Sequence, residues 1–164
     1  MSRGAYLLSL GLVPYGDAFE LQRSLAGAVS QGAIPETVIF LEHPPVVTLG
    51  RRTETYLELH LPDDAEVEIA ETDRGGRSTY HAPGQLVLYP IVHLGEGHRD
   101  VRAWVRHLEA FLIRLLGESG IPATTHPEHP GVWTVRSGKK IASVGIAIQH
   151  WVSFHGVADR KSVV

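Results

Sequence analysis

The chain has 164 residues, 43% hydrophobic and 20% charged, and no cysteine, which excludes a disulfide framework, a Cys-ligated zinc site and thiol chemistry carried by these residues. No run approaches the ~18 consecutive apolar residues of a membrane-spanning helix, and the opening stretch is too broken by Gly, Pro and Tyr for a secretory signal, so a soluble, cytoplasmic protein is expected. Net charge is −3 and the cations are scattered, so neither a nucleic-acid nor a membrane partner is expected.

Residues 5–12 read as a first strand. Asp17 and Glu20 have the spacing of a capping box, and Ala18, Leu21, Leu25 and Val29 then recur on one helical face until Gly32 and Pro35. Residues 37–41 and 46–49 are β-branched and aromatic enough for buried strands, and 66–72 alternate as a strand with one wet face. A long strand follows at 85–94, where Pro90 predicts a bend or an edge position. Asp100 caps a second helix running to about Gly117, with a stripe of Val101, Trp104/Val105, Leu108, Phe111/Leu112 and Leu115/Leu116. Residues 132–135 and 141–148 form a hairpin turning at Ser137-Gly138, and 152–157 add another strand. The pattern predicts one α+β domain (an α/β sandwich): a mixed, largely antiparallel sheet flanked by two helices.

Three segments have chemical character. In 74–89, Gly75-Gly76 and Pro83-Gly84 bracket Arg77, Ser78, Thr79, Tyr80 and His81. Such a string is either a solvated loop or the polar wall of a small-ligand pocket. In 138–148, Lys140 enters an apolar strand. It is either an ordinary hairpin-tip charge or a partly desolvated amine fit for proton transfer near neutral pH. Gly145 within that strand points to a close backbone approach. In 153–158, His155 is either a pocket histidine or a polar strand end. His126 and His129 have a metal-like spacing, but they sit in a proline-bracketed loop, read as surface, and no metal is expected. No nucleophile elbow, Walker loop or dinucleotide fingerprint is present.

In order, FLEHPPVVTLGRR (40–52), RGGRSTYHAPGQLVLYPI (74–91), PGVW (130–133), GKKIASVG (138–145) and SFHGVA (153–158) resemble the lipoyl(octanoyl) transferase family. Ala82 departs from the glycine of many members. The resemblance implies a fold like the biotin/lipoate protein ligase catalytic domain and an acyl transfer needing no metal, ATP or other cofactor. It implies octanoyl-acyl carrier protein as donor. The implied acceptors are lipoyl domains of 2-oxoacid dehydrogenase complexes and the glycine cleavage H protein. By the same likeness, Arg74, Gly75, Gly76, Arg77, Ser78, Thr79, Tyr80, His81, Ser143, Val144, Gly145, Gly156, Val157 and Ala158 bind substrate, and Lys140 partners a catalytic thiol.

The family's cysteine follows the last segment by over a dozen residues and is expected beyond Val164. The match covers 1–158 and ends at Ala158, with 159–164 a non-family tail. The resemblance thus implies a C-terminally truncated, inactive chain. A non-catalytic acyl- or carrier-protein-binding module and an ATP-dependent lipoate ligase relative are the competing readings.

Overall fold

The computed structural model describes residues 4–54 and 66–159. All of the expected tail at 159–164 except Asp159 lies outside the described residues. The elements are β1 (Tyr6–Leu12), α1 (Tyr15–Ser30), β2 (Thr37–Glu42), β3 (Val46–Leu49), β4 (Glu68–Glu71), β5 (Thr79–His81) and β6 (Val87–His93). A one-turn 3-10 helix (Glu96–His98) follows, then α2 (Val101–Glu118), β7 (Ala123–Thr124), β8 (Val132–Thr134), β9 (Lys140–Gln149) and β10 (Val152–Asp159).

Seven strands pair in the order β1-β2-β6-β10-β9-β8-β7, and β4-β3-β5 form a smaller sheet. Only β1–β2 and β3–β4 are parallel among the described pairs, so the mixed, largely antiparallel expectation holds. Strand alternation splits the core in two. Ile39, Leu41, Val87, Tyr89, Ile91 and Phe154 pack with Ala18, Ala26 and Val29 of α1. Leu88, Val144, Ile146 and Val157 pack with Leu108 and Leu112 of α2. Each helix covers one face of the large sheet.

The structure corrects several expectations. Helix α1 starts at Tyr15 with Pro14 as its N-cap, so Asp17 lies inside the first turn rather than capping it. Burial decides this start, because Tyr15 packs its ring 5.4 Å from that of His43. The expected helical face is shifted accordingly. Tyr15, Ala18, Gln22, Ala26 and Val29 are buried, while Leu21 and Leu25 pack only partly.

Pro90 does not lie on an edge strand, since β6 is flanked by β2 and β10. Its carbonyl faces β10, where it accepts a hydrogen bond from Ser153 Oγ at 3.0 Å. The missing N–H therefore also faces β10, where pairing lapses between Ser153↔Val92 and Val157↔Leu88. Gly156 fills that gap; a Cβ there would sit 2.3 Å from the Leu88 carbonyl oxygen and 2.5 Å from Pro90 Cδ.

Helix α2 is capped as expected, Asp100 accepting from the Ala103 N–H at 3.0 Å. Its stripe is narrower than expected, with Val101, Phe111 and Leu115 exposed and Glu109 buried beside Leu108 and Leu112. Strands β5 and β7, three and two residues long, are too short for periodicity to reveal.

Candidate active site

All fifteen sequence-nominated residues line one cavity of about 920 Å³. Three connections bring the distant segments together. Strand β5 pairs with β3, matching Val46↔His81, Val47↔Tyr80 and Thr48↔Thr79, so part of the expected loop is a strand. The Gly75 N–H donates to the Ile146 carbonyl at 2.9 Å, fastening the glycine turn to β9. Strand β10 then sets Gly156 opposite Gly145. Both glycine sites are close approaches: a Cβ on Gly145 would lie 3.1 Å from the Gly75 carbonyl oxygen.

Arg74 is 8% exposed and its guanidinium is occupied by protein partners. Nη1 donates to the carbonyls of Gly75 and Arg77, and Nη2 to the Thr48 carbonyl and Thr48 Oγ1. It touches the cavity but clamps the turn to β3. Burial lowers its pKa from the ordinary arginine value, yet a guanidinium stays charged at neutral pH.

Below the turn lies a histidine cluster that the sequence leaves undecided. His81 Nδ1 is 2.6 Å from Gln85 Oε1. The amide oxygen can only accept, so Nδ1 carries the proton and Nε2 remains an acceptor. Burial pulls the His81 pKa down to about 4, so the ring is neutral near pH 7. His43 donates from Nδ1 to the Val13 carbonyl at 2.7 Å, leaving Nε2 to accept the Tyr89 hydroxyl at 2.8 Å. Burial again keeps its pKa below the usual histidine value.

His155 is buried within β10 rather than at a strand end. It adopts a left-handed φ of +56°. Its N–H donates to Gln22 Oε1 at 2.8 Å, and its Nε2 donates to Asp73 Oδ1 at 2.7 Å. Burial outweighs the Asp73 attraction and holds its pKa low, while the bond from His155 lowers that of Asp73. A neutral imidazole donating to a carboxylate results. The three imidazoles below the turn are thus bonded to protein partners and uncharged near pH 7.

The opposite end is built by β8, β9 and α2. Lys140 is half-buried, with Nζ 5.0 Å from the Trp133 ring centre. Its stem crosses Gly131, where a Cβ would lie 2.5 Å from Lys140 Cε. Val101 and Val105 of α2 complete this wall. Residues 127–129 are exposed, as expected, while His126 is half-buried, and Glu128 and His129 reach the cavity rim. His126 stacks on His129 and contacts Trp133, with ring centres 4.8 and 5.1 Å apart. Among the described residues, no group of three or more His, Asp or Glu side chains is arranged to hold a metal ion.

Sequence reasoning missed Tyr15, Thr48, Gln85, Tyr89 and Trp133 as cavity residues. A signal was available for Thr48, Gln85, Tyr89 and Trp133, which fall within the family-like segments 40–52, 74–91 and 130–133. Tyr15, at the start of α1, lies outside them.

Residues 14–158 match the model of the lipoyl protein ligase A/B catalytic domain. An octanoyltransferase of Syntrophobacter fumaroxidans is 42% identical over 161 residues, covering 96% of this chain and 70% of the relative. One from Solibacter usitatus is 44% identical, covering 95% and 71%. Among solved structures, a bi-partite lipoate protein ligase with its E2 lipoyl domain from Thermoplasma acidophilum superposes with a TM-score of 0.69 at 20% identity. It covers 96% of this chain and 62% of its own. LipL1 of P. falciparum in complex with lipoate gives 0.71 at 12% identity, covering 95% and 47%. These two likenesses establish the lipoate-ligase fold, and the sequence relatives are more specific. The chain belongs to the lipoyl protein ligase A/B catalytic-domain family and, within it, to the octanoyltransferases, acyltransferases of protein lipoylation.

Proposed function

We propose that the cavity receives the octanoyl group of octanoyl-acyl carrier protein, on its way to a lysine of a lipoyl domain. The carrying observation is the convergence of residues 74–81, of Lys140 with 143–145, and of 156–158, distant in sequence, on one cavity. The T. acidophilum ligase, described together with its E2 lipoyl domain, supports lipoyl domains as acceptors. Lipoyl domains of 2-oxoacid dehydrogenase complexes and the glycine cleavage H protein are the acceptors proposed here.

In this reading a thiolate attacks the thioester carbonyl carbon, the carrier thiol leaves with a proton, and an acyl-thioester forms. The acceptor amine then attacks that thioester, giving an amide and returning the thiol. Lys140 serves the thiol, either as an ammonium stabilising the thiolate or as an amine accepting its proton. No cysteine lies within these 164 residues, so this chain by itself performs only the binding part. Acyl binding without covalent transfer is therefore the second reading.

Trp133 offers the test. Titration with octanoyl-pantetheine is expected to change its fluorescence saturably, and Trp133→Phe to remove that change. Absence of saturable binding overturns the proposal. Consumption of ATP with lipoate would instead support the ligase alternative.

A further inference from the structure

We infer that Glu109 is a positioning residue for Lys140, an inference that rests on the proposed role of that lysine. Glu109 does not line the cavity. It sits on the buried face of α2, 6% exposed, next to Leu108 and near Leu112. A carboxylate in such surroundings is costly unless it is bonded. Its Oε1 accepts the Gly131 N–H at 2.8 Å.

Gly131 has a φ of +126°, and its Cα faces Lys140 directly. A Cβ there would meet Lys140 Cε and the Ala142 carbonyl oxygen, each at 2.5 Å. The lysine stem therefore runs across bare backbone. Trp133, two residues further on, lies under Nζ at 5.0 Å from the ring centre. The β8–β9 pairing sets Trp133 opposite Lys140, and the hydrogen bond from α2 fixes Gly131, at the entry to that pairing, under the lysine stem.

The full chain has only three lysines, Lys139, Lys140 and Lys161, so lysine-labelled carbon–proton NMR gives a simple readout. The Lys140 signal, assigned with Lys140→Arg, is expected to be displaced upfield by the Trp133 ring. Glu109→Gln, which keeps an acceptor oxygen, should retain the displacement. Glu109→Met, of similar length but without an acceptor, should lose most of it while the thermal transition persists. A folded Met variant with an unchanged displacement overturns the inference, and so does equal loss in both variants. If the Met variant fails to fold, the unaltered chain still decides: a Gly131 Hα–Lys140 Hε cross-peak is expected, and its absence overturns the inference.

Octanoyl-pantetheine added to the same sample separates the two claims. A Lys140 signal indifferent to this ligand but moved by Glu109→Met counts against the functional reading and supports positioning. A signal that answers the ligand but ignores the Met variant does the reverse.

Discussion

His81, His43 and His155 all have pKa values held below the usual histidine value, in each case first by burial. An unfolded chain takes up these protons near pH 6.5, whereas folded His81 does so at about 4. Between those values the unfolded state binds more protons, so stability is present above the window and falls as pH drops through it. His81 alone accounts for about 3 kcal/mol across the full window. The melting temperature is expected to fall from neutral pH to about pH 5, and His81→Gln to flatten part of that fall. A pH-independent transition in the unaltered chain would contradict it.

Glycines separate by what lies beside them. Gly156→Ala places a methyl against the Leu88 carbonyl and the Pro90 ring, and should destabilise by about 3 kcal/mol. Gly27→Ala, in α1 with nothing within 4 Å, should stabilise by about 0.5–1 kcal/mol. Denaturant midpoints of the two variants should move in opposite directions.

At the scale of elements, β1 is the terminal strand of the described large sheet, with Tyr6, Leu7, Leu10 and Leu12 exposed. Such an edge favours pairing between chains. Leu7→Lys should reduce self-association in light scattering while changing stability by less than about 0.5 kcal/mol. An unchanged association state with a lower melting temperature would show that Leu7 is buried in solution.

Most elements were legible because their signals are local: β-branched runs for β2 and β3, an apolar stripe and an Asp cap for α2. Where the reading failed, a distant contact had decided the matter. The start of α1 follows Tyr15 against His43, and Pro90 is tolerated in an interior strand because β10 leaves its N–H position unpaired. Glu109 falls on the apolar face of α2 because it serves Gly131. Helical periodicity carries no information about such a partner.

For the whole molecule, the chain without cysteine is expected to bind an octanoyl thioester but to gain no thioester mass after incubation with octanoyl-acyl carrier protein. Intact-mass spectrometry checks this; a stable adduct outside the lysines would refute the thiol mechanism. The sequence by itself determined the family likeness and the α+β class, and the likeness supplied fifteen residues that line the cavity, because the matching segments keep their order along the chain. Only the tertiary structure decided which polar groups are buried, neutral and bonded. His155 meets Asp73 across 82 residues and Gln22 across 133. Charge state and side-chain direction depend on such partners, and sheet topology rather than local pattern brings them into contact.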